Sequence, residues 1–417
     1  MNTLYNSDKL LQYEVLSKLT EYYGDAFYVL HKEQFVNNFN ELKNVFQDYY
    51  PQFNIAYSYK TNYIPRLCQI INELGGLAEV VSDMEMQLAL KIGVPPCNII
   101  FNGPYKSPAA VEKLLLLGGV VNIDSIEEID VLNKILTNNP QTVLNVGIRV
   151  NFAINDNVLS RFGFDIDTVE FKKALYFLTN TDGIHFTGFH VHIAARSLET
   201  WRPRAEGMLK LIQELNIKPE RIDIGGGLFG KMSDDFKGQF TDYIPTYSEY
   251  AKEVATVFAD FYSSVTNDEK PLLLIEPGSA LVGDCMSIIS RVKSVKTVQS
   301  QSIATLLCSC YNINVGTKNP PLTIVPCDSK NRKEYSNLNF AGFTCIESDY
   351  LYKNYSGKLA VGDYVIISNI GSYSIVFKPP FILPNFPVIA FDDSCEEGID
   401  LIKRQETFSD VFQTYKF

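Results

Sequence analysis

The chain has 417 residues, 46% of them hydrophobic, and carries 37 Lys and Arg against 48 Asp and Glu, for a formal charge of -11. That length exceeds what one hydrophobic core ordinarily organises, so two domains are expected. The acidic balance, with no Lys/Arg-rich run, argues against a nucleic-acid groove and leaves small molecules as the expected ligands.

Residues 9–22 have helical spacing, and residues 26–30 form a strand-like run that could pair with either domain. The opening MNTLYNSDKLLQYEVLSKL is interrupted by polar residues every few positions, so no secretory signal is expected, and no apolar run approaches membrane-spanning length. Short apolar runs then begin near Asn54 (NIAYSYK), Leu77 (LAEVVS), Ile99 (IIFNG), Val120 (VVNIDS), Val143 (VLNVGIRVNF), His185 (HFTGFHVHI), Arg221 (RIDIGGG) and Leu272 (LLLIEPG). Each is rich in β-branched residues and is followed by polar residues or Gly. Residues 64–74, 84–92, 109–117, 170–178 and 208–215, which lie between them, repeat their apolar positions with helical period. Eight buried strands alternating with helices predict a (β/α)8 barrel; a doubly wound open sheet is the competing architecture.

After Leu281 the texture changes. Residues 286–298, 303–308, 364–368 and 374–377, broken by Gly, Pro, Asn and Asp, predict antiparallel strands and hence a second, all-β domain. The expected division is 35–276 for the barrel, with 1–34 and 277–417 in the β domain. Eight cysteines (Cys68, Cys97, Cys285, Cys308, Cys310, Cys327, Cys345 and Cys395) lack C-x-x-C metal spacing and read as free thiols of a reducing cytoplasm, with no metal site expected.

In an α/β barrel the chemistry sits at the C-terminal ends of the strands. Lys60 ends the first run, where apolar surroundings disfavour the ammonium and free an amine able to condense with an aldehyde. A surface lysine closing a strand gives the same local pattern. His190 and His192 lie on the sixth run, two residues apart and so on one side of the strand; a histidine satisfied within the barrel is the alternative, above all for His190. Gly225, Gly226 and Gly227 end the seventh, where absent Cβ atoms let backbone N–H groups approach an anion, although a flexible turn has the same composition. Glu276, ahead of Pro277 and Gly278, ends the eighth and needs a cationic or hydrogen-bonding partner if it is buried.

A lysine, a phosphate cradle, a flat ring and a carboxylate on one rim are what pyridoxal 5'-phosphate asks of a protein. The ordered motifs AYSYKTN, EVVS, SRFGF, GFHVHI, GGG, EPG, GFTCIESD and GSYS resemble those of the fold-type III pyridoxal-phosphate-dependent decarboxylases, the group that includes diaminopimelate, ornithine, arginine and carboxynorspermidine decarboxylases. The resemblance runs from about residue 25 to 395. It implies an alanine-racemase-like barrel with a C-terminal β domain, a cytoplasmic homodimer with shared active sites, and no membrane or nucleic-acid partner. By the same resemblance Lys60 carries the cofactor aldehyde and His192 stacks on its ring. Gly225, Gly226, Gly227 and Gly278 hold its phosphate, and Glu276 keeps its pyridine nitrogen protonated. Cys345 returns a proton to the substrate across the dimer interface, and Tyr373 contacts the cofactor. Read alone, Cys345 is a small buried hydrophobe and Tyr373 a core aromatic.

Three departures from the family pattern bear on function. Ala195 stands where relatives have Ser, and Ser279 where they have Arg, which removes a hydroxyl and a cation near phosphate or substrate. Arg196 either compensates or is a solvated loop residue. Ile346 replaces the acidic residue after the cysteine, with Glu347 and Asp349 the remaining substrate-facing carboxylates, so a distal ammonium would be costly to bury there. The expected activity is decarboxylation of a small amino-acid substrate more specialised than diaminopimelate or ornithine. A racemase of the same fold is the rival, disfavoured because racemases place an arginine where this chain has Glu276. A non-catalytic regulator of decarboxylase type is the third reading.

Overall fold

A computed structural model describes residues 10–154, 160–395 and 398–417. Lys9, the first residue of the predicted N-terminal helix, lies outside the described residues; the helix is Tyr13–Tyr23. The chain divides into two compact units, one of Val36–Phe229 and Asp242–Ala280, the other of Met1–Phe35, Gly230–Thr241 and Leu281–Phe417. The excursion Gly230–Thr241 is not legible as part of the second unit, because nothing in its composition separates it from an ordinary barrel loop.

Strand β1 (Ala26–Leu30) belongs to the second unit, whereas β2 (Phe53–Ser58), β3 (Leu77–Val80), β4 (Ile99–Phe101), β5 (Val120–Ile123), β6 (Leu144–Asn151), β7 (Phe164–Asp165), β8 (Ile184–His190), β9 (Arg221–Asp223) and β10 (Leu272–Ile275) lie in the first. Hydrogen bonding runs β5-β4-β3-β2-β10-β9-β8-β6, all parallel, and a β5–β6 pairing closes the ring. The barrel is therefore an eight-stranded closed one, and the open-sheet alternative is excluded. Among the described residues, short β7 pairs only with the end of β6.

The five helices expected between strands are Pro65–Glu73, Asp83–Lys91, Pro108–Leu116, Val169–Asn180 and Trp201–Leu215. Hydroxyl caps start several of them: Ser82 accepts from the Glu85 amide, Ser107 from Ala110 and Thr168 from Phe171. Three further helices, Lys32–Gln47, Glu128–Asn138 and Tyr247–Phe261, complete the alternation.

The barrel interior is layered by the two-residue period of its strands. Ala56, Leu77, Ile100, Val120 and Leu274, from five strands, pack into one apolar cluster. Two residues further along the same chains stand Ser58, Glu79, Asn102, Asn122 and Glu276, all buried. The apolar layer thus closes the barrel beneath a polar floor at its C-terminal end.

The second unit continues with β11 (Met286–Val298), β12 (Gln301–Leu306), β13 (Leu322–Val325), β14 (Lys333–Ala341), β15 (Tyr350–Leu359), β16 (Tyr364–Ile367), β17 (Val388–Phe391) and β18 (Ile399–Lys403). Strand β1 pairs antiparallel with β11 and parallel with β17, which settles where the N-terminal strand docks. Phe27, Val29, Ile289, Tyr364, Ile366 and Ile389 form part of the core of this unit. The expected strand at 374–377 is absent: Tyr373 adopts φ 61°, its carbonyl accepts from the Phe377 amide at 3.2 Å, and the two rings stack, which makes the segment a turn.

Candidate active site

Glu276 is the centre of the polar floor. Asn102 donates to its Oε1 at 2.5 Å, and its Oε2 lies 3.3 Å from His190 Nε2 and 3.6 Å from His192 Nδ1. The same Asn102 amide donates to Glu79 Oε1 at 3.2 Å and is itself oriented by Asn122, whose amide donates to Asn102 Oδ1 at 2.8 Å. Glu79 Oε2 in turn accepts from Ser58 and from Lys60 Nζ, each at 2.7 Å. One continuous network therefore joins Lys60 to Glu276 at a single end of the barrel. Lys60 sits in the one-turn helix Tyr59–Thr61 that caps β2, and its side chain keeps 34% exposure while Glu79 has 1%.

Burial alone would raise the Glu276 carboxyl. Its neighbours, His190 first and then Lys60, outweigh that and hold it well below the usual carboxylate range. Asp223, at the end of β9, goes the other way: burial, and then the charge of Glu276, push its carboxyl well above the ordinary value. Its Oδ1 accepts from the Gly225 amide at 2.9 Å. His190, Asp223 and Glu276 bring their ligand atoms within 4.8 Å of one another. With two carboxyls so close in a dry floor, ionisation of one disfavours ionisation of the other.

His192 Nδ1 accepts from the Gly226 amide at 2.9 Å, so the imidazole proton resides on Nε2. Burial, opposed by Glu276 and reinforced by Lys60 and nearby arginines, pushes its pKa well down, and the ring is a neutral plate. The glycines beside it are required by space. Gly225 has φ 73°, and a Cβ there would lie 2.6 Å from the Val191 carbonyl oxygen and 2.7 Å from His192 Nδ1. At Gly226 a Cβ would collide with the Glu276 carbonyl oxygen, and at Gly227, with φ 100°, it would lie 2.9 Å from that of Ala195. Gly278 is closed in by Thr61 in the same way.

Several members of this site are not singled out by the motifs. Asn102 and Asn122 end apolar runs and are open to the same strand-end reasoning that singles out Lys60. Arg204, fully buried in the helix Trp201–Leu215, donates to Gly226 O at 2.8 Å and Ala195 O at 2.5 Å while stacking on Trp201. Nothing in its local sequence signals that task. Arg196 is exposed, with Nη2 3.5 Å from Ser279 Oγ.

Four expected site residues, Cys345, Glu347, Asp349 and Tyr373, lie in the β unit. Cys345, Ile346 and Glu347 are exposed on the loop between β14 and β15, so Cys345 is not a small buried hydrophobe. Asp349 is buried and saturated, accepting from Ser309 Oγ, Cys310 N, Thr344 N and Thr344 Oγ1 at 3.1, 2.8, 3.2 and 2.6 Å. Its carboxylate ties that loop together through these four bonds. Tyr373 is half-buried with a left-handed backbone, a conformation a bulky residue holds only where its surroundings enforce it.

Glycine turns packed too closely for any Cβ, a neutral imidazole plate, a buried ionised carboxylate and a lysine amine share one barrel end, a set that fits pyridoxal phosphate. Residues 33–283 match the family described as pyridoxal-dependent decarboxylase, pyridoxal binding domain. A diaminopimelate decarboxylase of Methanocaldococcus jannaschii is 26% identical over 427 residues, covering 94% of this chain and 92% of the relative. A crystal structure of diaminopimelate decarboxylase from M. jannaschii aligns with a TM-score of 0.83 at 23% identity over 96% of this chain and 94% of that one. A crystal structure of lysine decarboxylase from Selenomonas ruminantium gives 0.72 at 20% identity over 92% and 97%. Among the described residues, no helix is long and apolar enough to cross a membrane.

Proposed function

The chain belongs to the pyridoxal-dependent decarboxylase family, and from that premise we propose that it removes carbon dioxide from an amino-acid substrate, with Lys60 holding the cofactor and Cys345 returning the proton. The observation that carries the assignment of roles is the unbroken chain of contacts from Lys60 through Glu79 and Asn102 to Glu276. When bound, pyridoxal phosphate supplies an electron sink for the pair left behind by the departing carboxylate.

The protein's own groups divide the rest. Glu79, 2.7 Å from the ammonium of Lys60, holds that side chain at the barrel end where the cofactor aldehyde would be carried. Glu276, held ionised, keeps a proton on the cofactor's ring nitrogen, the condition under which that ring accepts electrons best. His192 offers its neutral face for stacking. Gly225, Gly226, Gly227 and Gly278 leave room for the phosphate, and Tyr373 contacts the cofactor. In this reading Cys345 serves a neighbouring subunit, so the working unit is a homodimer with shared sites, located in the cytoplasm.

Substrate choice is the finer part of the proposal. An exposed Ile346, with Asp349 committed to its own loop, leaves Glu347 as the nearby carboxylate for a distal ammonium. A specialised substrate, such as a carboxylated polyamine or an amino-acid intermediate of secondary metabolism, fits that end better than diaminopimelate or ornithine.

The test begins with the spectrum. Protein saturated with pyridoxal phosphate should show a visible band that borohydride bleaches and that Lys60→Ala lacks; a wild-type protein without the band refutes the role of Lys60. Cys345→Ala should keep the band and lose amine production, and normal turnover in that variant would remove Cys345 from the reaction. Carbon dioxide release across diaminopimelate, lysine, ornithine, arginine and a carboxylated polyamine then ranks substrates. Diaminopimelate at the head of that ranking would overturn the specialised reading.

A further inference from the structure

The glycine cradle offers backbone N–H groups, yet a phosphate monoester carries about -1.5 to -2 charges near neutral pH and is held best where a cation accompanies such donors. Among the described residues near the barrel end, Lys60, Arg149 and Arg204 are cations already committed to partners. Lys60 pairs with Glu79 at 2.7 Å. Arg149 lies 3.6 Å from Asp124 and donates to the His192 carbonyl at 3.4 Å. Arg204 is fully buried and directs its N–H groups to the carbonyls of Gly226 and Ala195 and to Thr200 Oγ1.

Arg196 differs in each respect. Its guanidinium is exposed, and among the described residues it has no ion-pair partner. Its backbone is fixed: Tyr250 donates its hydroxyl proton to the Arg196 carbonyl at 2.7 Å, while the Phe229 amide donates to that same hydroxyl at 3.3 Å. Its side chain lies over the Phe229 ring, 5.3 Å from the centroid, and Nη2 reaches to 3.5 Å from Ser279 Oγ. Phe229 follows Gly227 by two residues, Ser279 follows Gly278 directly, and the Ala195 carbonyl faces Gly227. The guanidinium is therefore suspended between the loops that end β9 and β10, the two loops whose glycines line the cradle.

We infer that Arg196 is the side-chain cation of the phosphate subsite, with Ser279 as its hydroxyl companion, rather than a contact for the substrate's far end. Arg204 has the complementary task of bracing the cradle's carbonyls from behind. The inference rests on the pyridoxal reading and deepens it.

Comparison of two ligands isolates the phosphate. Pyridoxal has the aldehyde and ring but no phosphate, so equilibrium dialysis of the full chain against pyridoxal phosphate and against pyridoxal separates the subsite from the rest of the site. Arg196→Ala should weaken pyridoxal phosphate binding about 10- to 100-fold, the range for loss of a charge-assisted hydrogen bond, and leave pyridoxal binding within about twofold. Arg196→Lys, which keeps the charge but not the fork, should fall between. Unchanged pyridoxal phosphate affinity in Arg196→Ala, or equal loss of both ligands, overturns the inference while leaving the cofactor reading intact. A wild-type chain that binds neither ligand, or binds pyridoxal as tightly as its phosphate, sinks that reading and the inference with it.

Discussion

Replacing Gly225 by Ala tests whether the cradle is built on close approach or merely on flexible glycines. Two costs can be separated. An L-residue at φ 73° costs about 1–2 kcal/mol relative to glycine. The new Cβ would also press on the Val191 carbonyl at 2.6 Å and on His192 Nδ1 at 2.7 Å, neither at the end of a flexible side chain, and such overpacking costs about 1–3 kcal/mol more. The sum is about 2–5 kcal/mol. Gly75 is the matched control, with the same φ of 73° and nothing within 4 Å of the added atom, so Gly75→Ala should lose only the first part. Urea unfolding followed through Trp201, the chain's only tryptophan and fully buried in the barrel unit, reads both variants on one scale. Equal midpoints for Gly225→Ala and Gly75→Ala would refute the packing argument.

Two other substitutions probe buried carboxyls. Asp349→Ala strips four donors of their acceptor and should lower stability by about 2–4 kcal/mol, read as a fall in melting temperature, while the Lys60-dependent visible band persists. Undiminished melting with lost turnover would return Asp349 to the substrate. Glu85 accepts from the Val81 amide at 2.7 Å, and burial, helped by Glu79, pushes its carboxyl up to about 7 from 4.5. A carboxyl raised on folding binds its proton more tightly in the native state, so stability is full below pH 4.5 and declines as pH climbs to 7. Glu85→Gln should remove about 3 kcal/mol of that decline between about pH 4.5 and pH 7, measured by urea unfolding at each pH. A variant with the wild-type pH slope would refute the assignment.

Much of the site is legible in the sequence because strand geometry is simple. The pattern apolar–x–polar closes β2, β3, β4, β5 and β10 as Ala56/Ser58, Leu77/Glu79, Ile100/Asn102, Val120/Asn122 and Leu274/Glu276, and a two-residue period sends both members of each pair to one face. Lys60, His192, the glycine triplet and Glu276 stand out for the same reason: each is a residue type out of place at the end of an apolar run. Asp349 escapes such reasoning because its offset from Cys345 says nothing of the loop it folds. The expected strand at 374–377 fails because a left-handed backbone at Tyr373 is a property of its surroundings and not of local propensity.

Local pattern was therefore enough to set the alternation of strands and helices, the face on which each chemical group emerges, and the chemistry those groups are suited to. It held no record that β5 meets β6 to close the ring, that Asn102 bridges Glu79 to Glu276, or that burial and the charge of Glu276 raise the Asp223 carboxyl; these came from the folded arrangement. The reason is range. Period and propensity act over a few residues, whereas ring closure, shared hydrogen bonds and the field of a buried charge join groups far apart along the chain, where no short motif encodes the distance between them.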